Sequence, residues 1–190
     1  MDMPELQSFN LVGGTALALK YGHRISIDLD LFTTEDFEHQ PIIAALQNKF
    51  GEVFRYDGEF SKWGIFCYIE NVKIDLVYYP FDMIAPIMTI GKVRLYDDKD
   101  LCAMKIQAIL GRGKKKDFYD IYELLQQYSL SDIIDFHKTK YPSNRLLIGI
   151  PQAIVYFKDA DESDNPIILK EISWSDIKYE IQKAVREYLS

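Results

Sequence analysis

The sequence predicts an α+β fold, with a mixed-sheet core over residues 1–97 and a helical region over 98–190. Two observations carry that expectation. Up to about Asp97 short apolar–polar alternations of period two mix with one or two helical stretches, whereas after Tyr96 the apolar residues recur at three and four. At 190 residues, an apolar fraction of 48% is also ample for a packed interior.

The elements follow in order. Leu11-Val12 leads into Gly13-Gly14, and a short helix is expected from Ala16 to Lys20, stopping near Gly22. Ile25 to Phe32 reads as a strand, because Ile25, Ile27, Leu29 and Leu31 alternate with Ser26, Asp28 and Asp30. Pro41 to Phe50 reads as an amphipathic helix with Ile42, Ile43, Leu46 and Phe50 on one side. Ile65 to Glu70 and Lys73 to Tyr79 are strands close enough to form a hairpin through Asn71, and Pro80 ends the second. Asp98 is the expected N-cap of a helix running to about Leu110. Beyond the basic interruption 111–116, Phe118, Ile121, Tyr122 and Leu125 have helical spacing. A third helix is expected over Ser131 to Lys138, a surface loop over Asp159 to Asn165, and a last helix from Ser175 to the end.

Charge narrows the function. Lys and Arg number 22 against 29 Asp and Glu, a net charge of -7, which argues against a uniformly basic nucleic-acid clamp. A polyanionic substrate would have to meet a local basic patch. Cys67 and Cys102 each sit in an apolar run and are expected as buried free thiols in a reducing compartment. The histidines at 23, 39 and 137 are scattered without zinc-site spacing. The terminus MDMPELQSFN lacks a basic flank followed by an apolar run, and no stretch is long enough to span a bilayer. A soluble, cytoplasmic chain with no membrane partner is therefore expected.

Among the motifs, Asp28-Leu29-Asp30 stands first. Three Asp-x-Asp pairs occur, about what 18 aspartates give by chance, but apolar residues at 27, 29 and 31 reduce the chance expectation to roughly 0.2. On a strand, residues i and i+2 share a face, so both carboxylates would project together. Without a cation they would repel; magnesium, which takes oxygen ligands and shares its sphere with phosphates, resolves that conflict. A solvated polar face gives the same pattern without any chemistry. Gly13-Gly14-Thr15, between a strand and a helix, suits close backbone approach to a phosphate, and equally a plain turn with a Thr cap. Asp75, in Lys73-Ile74-Asp75-Leu76-Val77, gains weight because a two-metal site needs a third carboxylate, which could also take a proton from an attacking hydroxyl. Lys105 has Leu101, Cys102, Ala108 and Ile109 as its helical neighbours, so it either snorkels past a core edge or faces an anion. Arg112, Lys114, Lys115 and Lys116 form one basic cluster, readable as a solvated connection or as a contact for phosphates. Asp117, followed by Asp120, reads as a helix cap or as a catalytic acid.

Leu11-Val-Gly-Gly-Thr-Ala-Leu-Ala-Leu19, Gly22-His-Arg24, Ser26 and Asp28-Leu-Asp30-Leu-Phe32 together resemble the AbiEii family. These are nucleotidyltransferase-like toxins of the DNA polymerase β-type superfamily. Lys105 through Arg112, and Lys116-Asp117-Phe118-Tyr-Asp120, are similar to that family's second signature, and the match spans roughly Asn10 to Leu125. The resemblance implies a mixed-sheet nucleotidyltransferase core followed by helices. It implies Gly13, Gly14 and Thr15 at the phosphates, Asp28 and Asp30 as magnesium ligands, and Asp75 as the third acid. Lys105 and Asp117 match active-site positions of the family, and Arg24 and Ser26 fall inside the block expected to hold the nucleotide. Some relatives transfer nucleotides onto tRNA 3′ ends and others are the toxin half of a toxin–antitoxin pair. Relatives often carry helices before the glycine motif, whereas this chain reaches it within a dozen residues.

The expected activity is magnesium-dependent transfer of a nucleoside monophosphate from an NTP to an acceptor hydroxyl, with an RNA end, tRNA above all, as acceptor and a cognate antitoxin as partner. Two alternatives keep parts of this reading: a protein side chain or small molecule as acceptor, and a non-catalytic module that binds a nucleotide or a partner.

Overall fold

The computed structural model of the chain describes residues 1–59 and 61–190. It divides into two compact units. The first comprises Met1–Ala16, Ser26–Asp82 and Pro86–Tyr96; the second comprises Leu17–Ile25, Met83–Ala85 and Asp97–Ser190.

The first unit holds one seven-stranded mixed sheet. Its strands are β1 (Asn10–Leu11), β2 (Leu29–Thr33), β3 (Phe54–Arg55), β4 (Gly64–Ile69), β5 (Val72–Tyr78), β6 (Met88–Ile90) and β7 (Val93–Leu95). They lie in the order β3-β4-β5-β2-β1-β7-β6. β4 and β5 form the expected antiparallel hairpin, while β2 lies parallel to β5. Period-two alternation explains which side is covered. Leu31, Ile65, Cys67, Ile74 and Leu76 are buried, and the helix α2 (His39–Phe50) packs against β4 with Ile42 and Leu46 buried. Phe66, Tyr68, Lys73 and Asp75 project from the opposite face. Gly64 is required on that open face, since a Cβ there would lie 2.2 Å from the Leu76 carbonyl oxygen.

One strand is shorter than its alternation predicts. β2 begins at Leu29, not Ile25, and Ile25 and Ile27 are 45% and 64% exposed. The backbone upstream is claimed elsewhere. Ile25 donates to the Ile167 carbonyl, Leu169 donates to the His23 carbonyl, and Arg24 bridges to Ile168, all inside the second unit. Apolar alternation therefore marked only part of a strand here. Asp28 consequently precedes the strand rather than lying within it.

The helix α1 (Gly13–Tyr21) starts three residues before its predicted first residue, at the glycine pair itself. The remaining helices lie in the second unit: α3 (Asp98–Gly111), α4 (Lys115–Leu125), α5 (Leu130–Lys140), α6 (Ile150–Ala153), α7 (Lys158–Glu162) and α8 (Trp174–Leu189). Leu101, Ile106, Phe118, Ile121, Leu124 and Ile133 are among its fully buried side chains, and α8 adds Ile177, Ile181 and Val185 at intervals of four. Capping boxes open α5 at Ser129 with Asp132, and α8 at Ser173 with Asp176.

Three local expectations need correction. The N-cap of α3 is Asp97, whose carboxylate accepts from the Lys99 amide; Asp98 instead accepts from Lys20 Nζ at 2.5 Å and Tyr21 Oη at 2.7 Å. Most of the loop expected over 159–165 is the helix α7, held down by the fully buried Ala160. Asp117 does not open its helix, which begins two residues earlier at Lys115. Both cysteines are buried free thiols.

Candidate active site

In the first unit the sheet register decides the site. Asp30 on β2 stands directly opposite Asp75 on β5, and in a parallel pair such partners project on the same face. The structure thus brings together two of the three predicted acids. Asp28 sits two residues upstream of Asp30, and among the described residues no three acidic, His or Cys side chains gather tightly enough to hold a metal ion as a set. The pair is what the fold builds.

Lys73 completes the arrangement and is the residue that sequence reasoning passed over. Its ammonium lies 2.6 Å from Asp75 Oδ2. Burial pulls the Lys73 pKa down, but its hydrogen bond to Asp75 and the charges of Asp75, Asp30 and Asp28 outweigh it and raise the pKa above the ordinary lysine value. This ammonium is therefore the direct counter-charge of Asp75. The signal was available: Lys73 is two residues from Asp75 on the same strand, so the two must share a face. The other oxygen, Asp75 Oδ1, is buried and without a hydrogen-bond partner.

The glycine turn abuts these acids. Gly13 adopts φ +71°, and a Cβ built on it would lie 2.5 Å from Asp30 Oδ2. Glycine is needed both for the backbone conformation and for the close approach of the carboxylate. Thr15, buried in α1, is hydrogen-bonded to the Asp28 carbonyl and, at 2.9 Å, to Ser26 Oγ. Those bonds tie the start of the helix to the segment carrying the acids. Gly14 is buried behind them.

The predicted residues Arg24, Lys105 and Asp117 belong to the second unit, where they form a buried ion cluster. Lys105 Nζ lies 3.1 Å from Asp117 Oδ1 and 2.7 Å from Asp120 Oδ2. Arg24 grips Asp120 with both ends of its guanidinium, Nε to Oδ1 at 2.7 Å and Nη2 to Oδ2 at 2.9 Å. His23 Nε2 is 2.7 Å from Asp120 Oδ1, and Arg112 reaches both oxygens of Asp117 at 3.1 Å. Lys105, Arg24, Asp117 and Asp120 are all buried. Burial alone would raise both carboxyls, yet Lys105, Arg24 and Arg112 hold Asp117 and Asp120 below the usual carboxylate range. Reciprocally, Asp120 and Asp117 overcome the burial of Lys105 and raise its pKa. Apolar neighbours of Lys105 in the sequence therefore reflect a buried ammonium, not one snorkelling to solvent. Asp120 is the centre of this cluster, a role its position after Asp117 did not reveal.

A sheet of this order followed by helices is a nucleotidyltransferase fold. The structure of JHP933 from Helicobacter pylori aligns with a TM-score of 0.59 at 15% identity, covering 96% of this chain and 84% of that one. The nucleotidyltransferase toxin MenT4 (Rv2826c) of Mycobacterium tuberculosis H37Rv aligns with a TM-score of 0.59 at 13% identity, covering 93% and 74%. An uncharacterized protein of Aquifex aeolicus strain VF5 is 31% identical over 187 residues, 95% of this chain and 88% of that protein. The model of the family "Nucleotidyl transferase AbiEii toxin, Type IV TA system" matches residues 2–177. The chain belongs to that family and is a nucleotidyltransferase.

Proposed function

We propose that this enzyme transfers a nucleoside monophosphate from an NTP to the terminal hydroxyl of an RNA, tRNA in the first instance, with magnesium held by the Asp30–Asp75 pair and with Asp28, two residues upstream, as the further acid that the family resemblance implies. The observation that carries the reading is the Asp30–Asp75 register, which sets two carboxylates side by side on neighbouring strands. Magnesium suits them, because it binds commonly through one or two carboxylates and completes its sphere with phosphates and water. The unpartnered Asp75 Oδ1 is a free oxygen donor of the right kind. When bound, the ion supplies Lewis-acid charge that polarises the α-phosphate and stabilises the leaving pyrophosphate.

The protein's own groups account for the rest. Asp30 lies against the glycine turn, and Thr15 bonds the backbone carbonyl of Asp28, so the segment that carries both acids is tied to the start of α1. Asp75 accepts the proton of the attacking hydroxyl. The first turn of α1, starting at Gly13, offers unpaired amides and the positive end of a helix dipole to the triphosphate, with Ser26 beside it. Lys105, Arg24 and Asp117 enter this reading only through the family resemblance, the two cations as groups that would neutralise the triphosphate, since within the second unit Lys105 and Arg24 are already engaged by Asp117 and Asp120.

Incubating the protein with each labelled NTP and total tRNA tests the proposal directly. Label should enter RNA, and Asp30→Ala or Asp75→Ala should lower transfer by about a hundred- to a thousandfold, as loss of charge stabilisation at a reacting centre does. Transfer that survives both substitutions refutes it. The net charge of -7 favours a second acceptor class, a protein side chain or small molecule, and label in either of these instead of RNA would establish it. As a toxin with a cognate antitoxin, the wild-type protein should arrest growth on expression, and the Asp30→Ala protein should not.

A further inference from the structure

The strand order places the acids in the middle of a gradient. On one side of β5 and β2 lies β1 with the glycine turn; on the other lie β4 and β3. Phe66 on β4 is the direct cross-strand partner of Asp75, and Tyr68 is the partner of Lys73. Both rings project from the open face, 44% and 39% exposed. Next in line, Arg55 on β3 is the partner of Tyr68 and lies over its ring at 5.6 Å, with its Nη2 donating to the Glu70 carbonyl at 2.9 Å. An exposed ring pair, a stacked guanidinium and the proton-accepting carboxylate thus line up across one sheet face.

Resting on the nucleotidyl-transfer reading, we propose that Phe66, Tyr68 and Arg55 form the platform that seats the unpaired 3′-terminal bases of a single-stranded RNA acceptor. The chemistry fits that ligand specifically. A base has a π-face that stacks on an aromatic ring whatever its identity, and sheets that display rings in this way are a recurrent solution for single strands. Arg55 adds a planar cation that stacks and contacts a phosphate, supplying locally the positive charge that the chain as a whole lacks. The position fits too. The triphosphate is assigned to the β1 side of the acids, so the hydroxyl that attacks it must come from the β4 side, where Asp75 borders Phe66. An RNA whose last bases lie along Phe66 and Tyr68 brings its terminal hydroxyl towards Asp75. A base-paired end exposes only the outer face of its last pair and cannot lay successive bases along the two rings, so the platform favours unpaired ends.

Fluorescence anisotropy with a labelled hairpin RNA carrying a four-nucleotide 3′ overhang, and with the same hairpin ending blunt, tests this on the full chain. The overhang RNA should bind more tightly than the blunt one. Phe66→Ala and Tyr68→Ala should each weaken overhang binding about tenfold, within the range for loss of one base–aromatic stack, and Phe66→Trp should restore it. Ile90→Ala, which truncates a comparably exposed apolar residue at the opposite edge of the sheet, should bind as wild type does. Thermal melts confirm that each variant is folded. Equal binding of overhang and blunt RNA, unchanged affinity in both alanine variants, or a loss confined to NTP binding overturns the inference. If the wild-type protein transfers nucleotide to another acceptor and ignores RNA, the platform fails while nucleotidyl transfer stands. If it binds overhang RNA through these rings and transfers nothing, the platform stands and the activity fails.

Discussion

At position 13 a single methyl group would crowd one carboxylate of the proposed site. Gly13→Ala would force a Cβ to within 2.5 Å of Asp30 Oδ2 and strain a backbone already at φ +71°. Transfer should fall about tenfold or more, with a stability loss of about 1–3 kcal/mol, the usual cost of a side chain held in that region. Activity at wild-type level in a folded Gly13→Ala protein would mean that the placement of Asp30 is immaterial. Lys73 makes a different prediction. Its ammonium competes with any divalent cation for Asp75. Lys73→Met should therefore tighten manganese binding about fivefold, the effect of one unit charge at about 4 Å in a water-like medium. Weaker binding in that variant would show that the lysine orients the carboxylate rather than competing for it.

At the level of elements, α3 and α4 are joined by charge in a place where most helix pairs use only apolar contacts. Removing Lys105 leaves Asp117 and Asp120 with one fewer buried cation each. Lys105→Met should destabilise the fold by about 3–5 kcal/mol, the cost of an uncompensated buried charge, and denaturant melts will read it. A melt unchanged by that substitution would point to a lysine kept for a ligand. The same elements show what was legible beforehand. The β4–β5 hairpin, α2 and the amphipathic repeat of α4 were readable because one covered face imposes a period on the sequence. The segment before β2 was not, because its apolar residues at 25 and 27 are exposed and its backbone bonds go to residues more than 140 positions later. Asp28, Asp30 and Asp75 were legible as acids flanked by apolar residues. Their partner Lys73 was not singled out, because a lysine in a strand is ordinary until its register neighbours are known. The ion cluster stayed hidden for a related reason: Arg24 and Asp120 are 96 residues apart, and only the tertiary fold pairs them.

For the whole molecule, acid is the informative stress. Burial lowers the His137 pKa to about 4, while its Nε2 lies 3.0 Å from Gln107 Oε1. The unfolded chain protonates this histidine near its ordinary pKa of about 6.5, and the folded chain resists until about 4. The stability contributed by the neutral ring is therefore complete above about pH 6.5 and is lost as pH falls towards 4. Asp120 adds its own contribution above the usual carboxylate range and loses it only at still lower pH. The melting temperature should consequently decline between pH 6.5 and 4, and His137→Gln should flatten that decline. An equally steep slope in the variant would assign the acid sensitivity to other groups.

The second unit is also scattered along the chain, drawing on Leu17–Ile25 and Met83–Ala85 as well as Asp97–Ser190. A polypeptide cut at 97 would strand Asp120 without Arg24 and His23, and Asp100 without the amides of Ile84 and Ala85. The helical half is therefore not a cassette. During synthesis Arg24 leaves the ribosome before its acid exists, so this ion pair cannot form until Asp120 has emerged. An exchange between proteins at a single joint near 97 would likewise separate these partners.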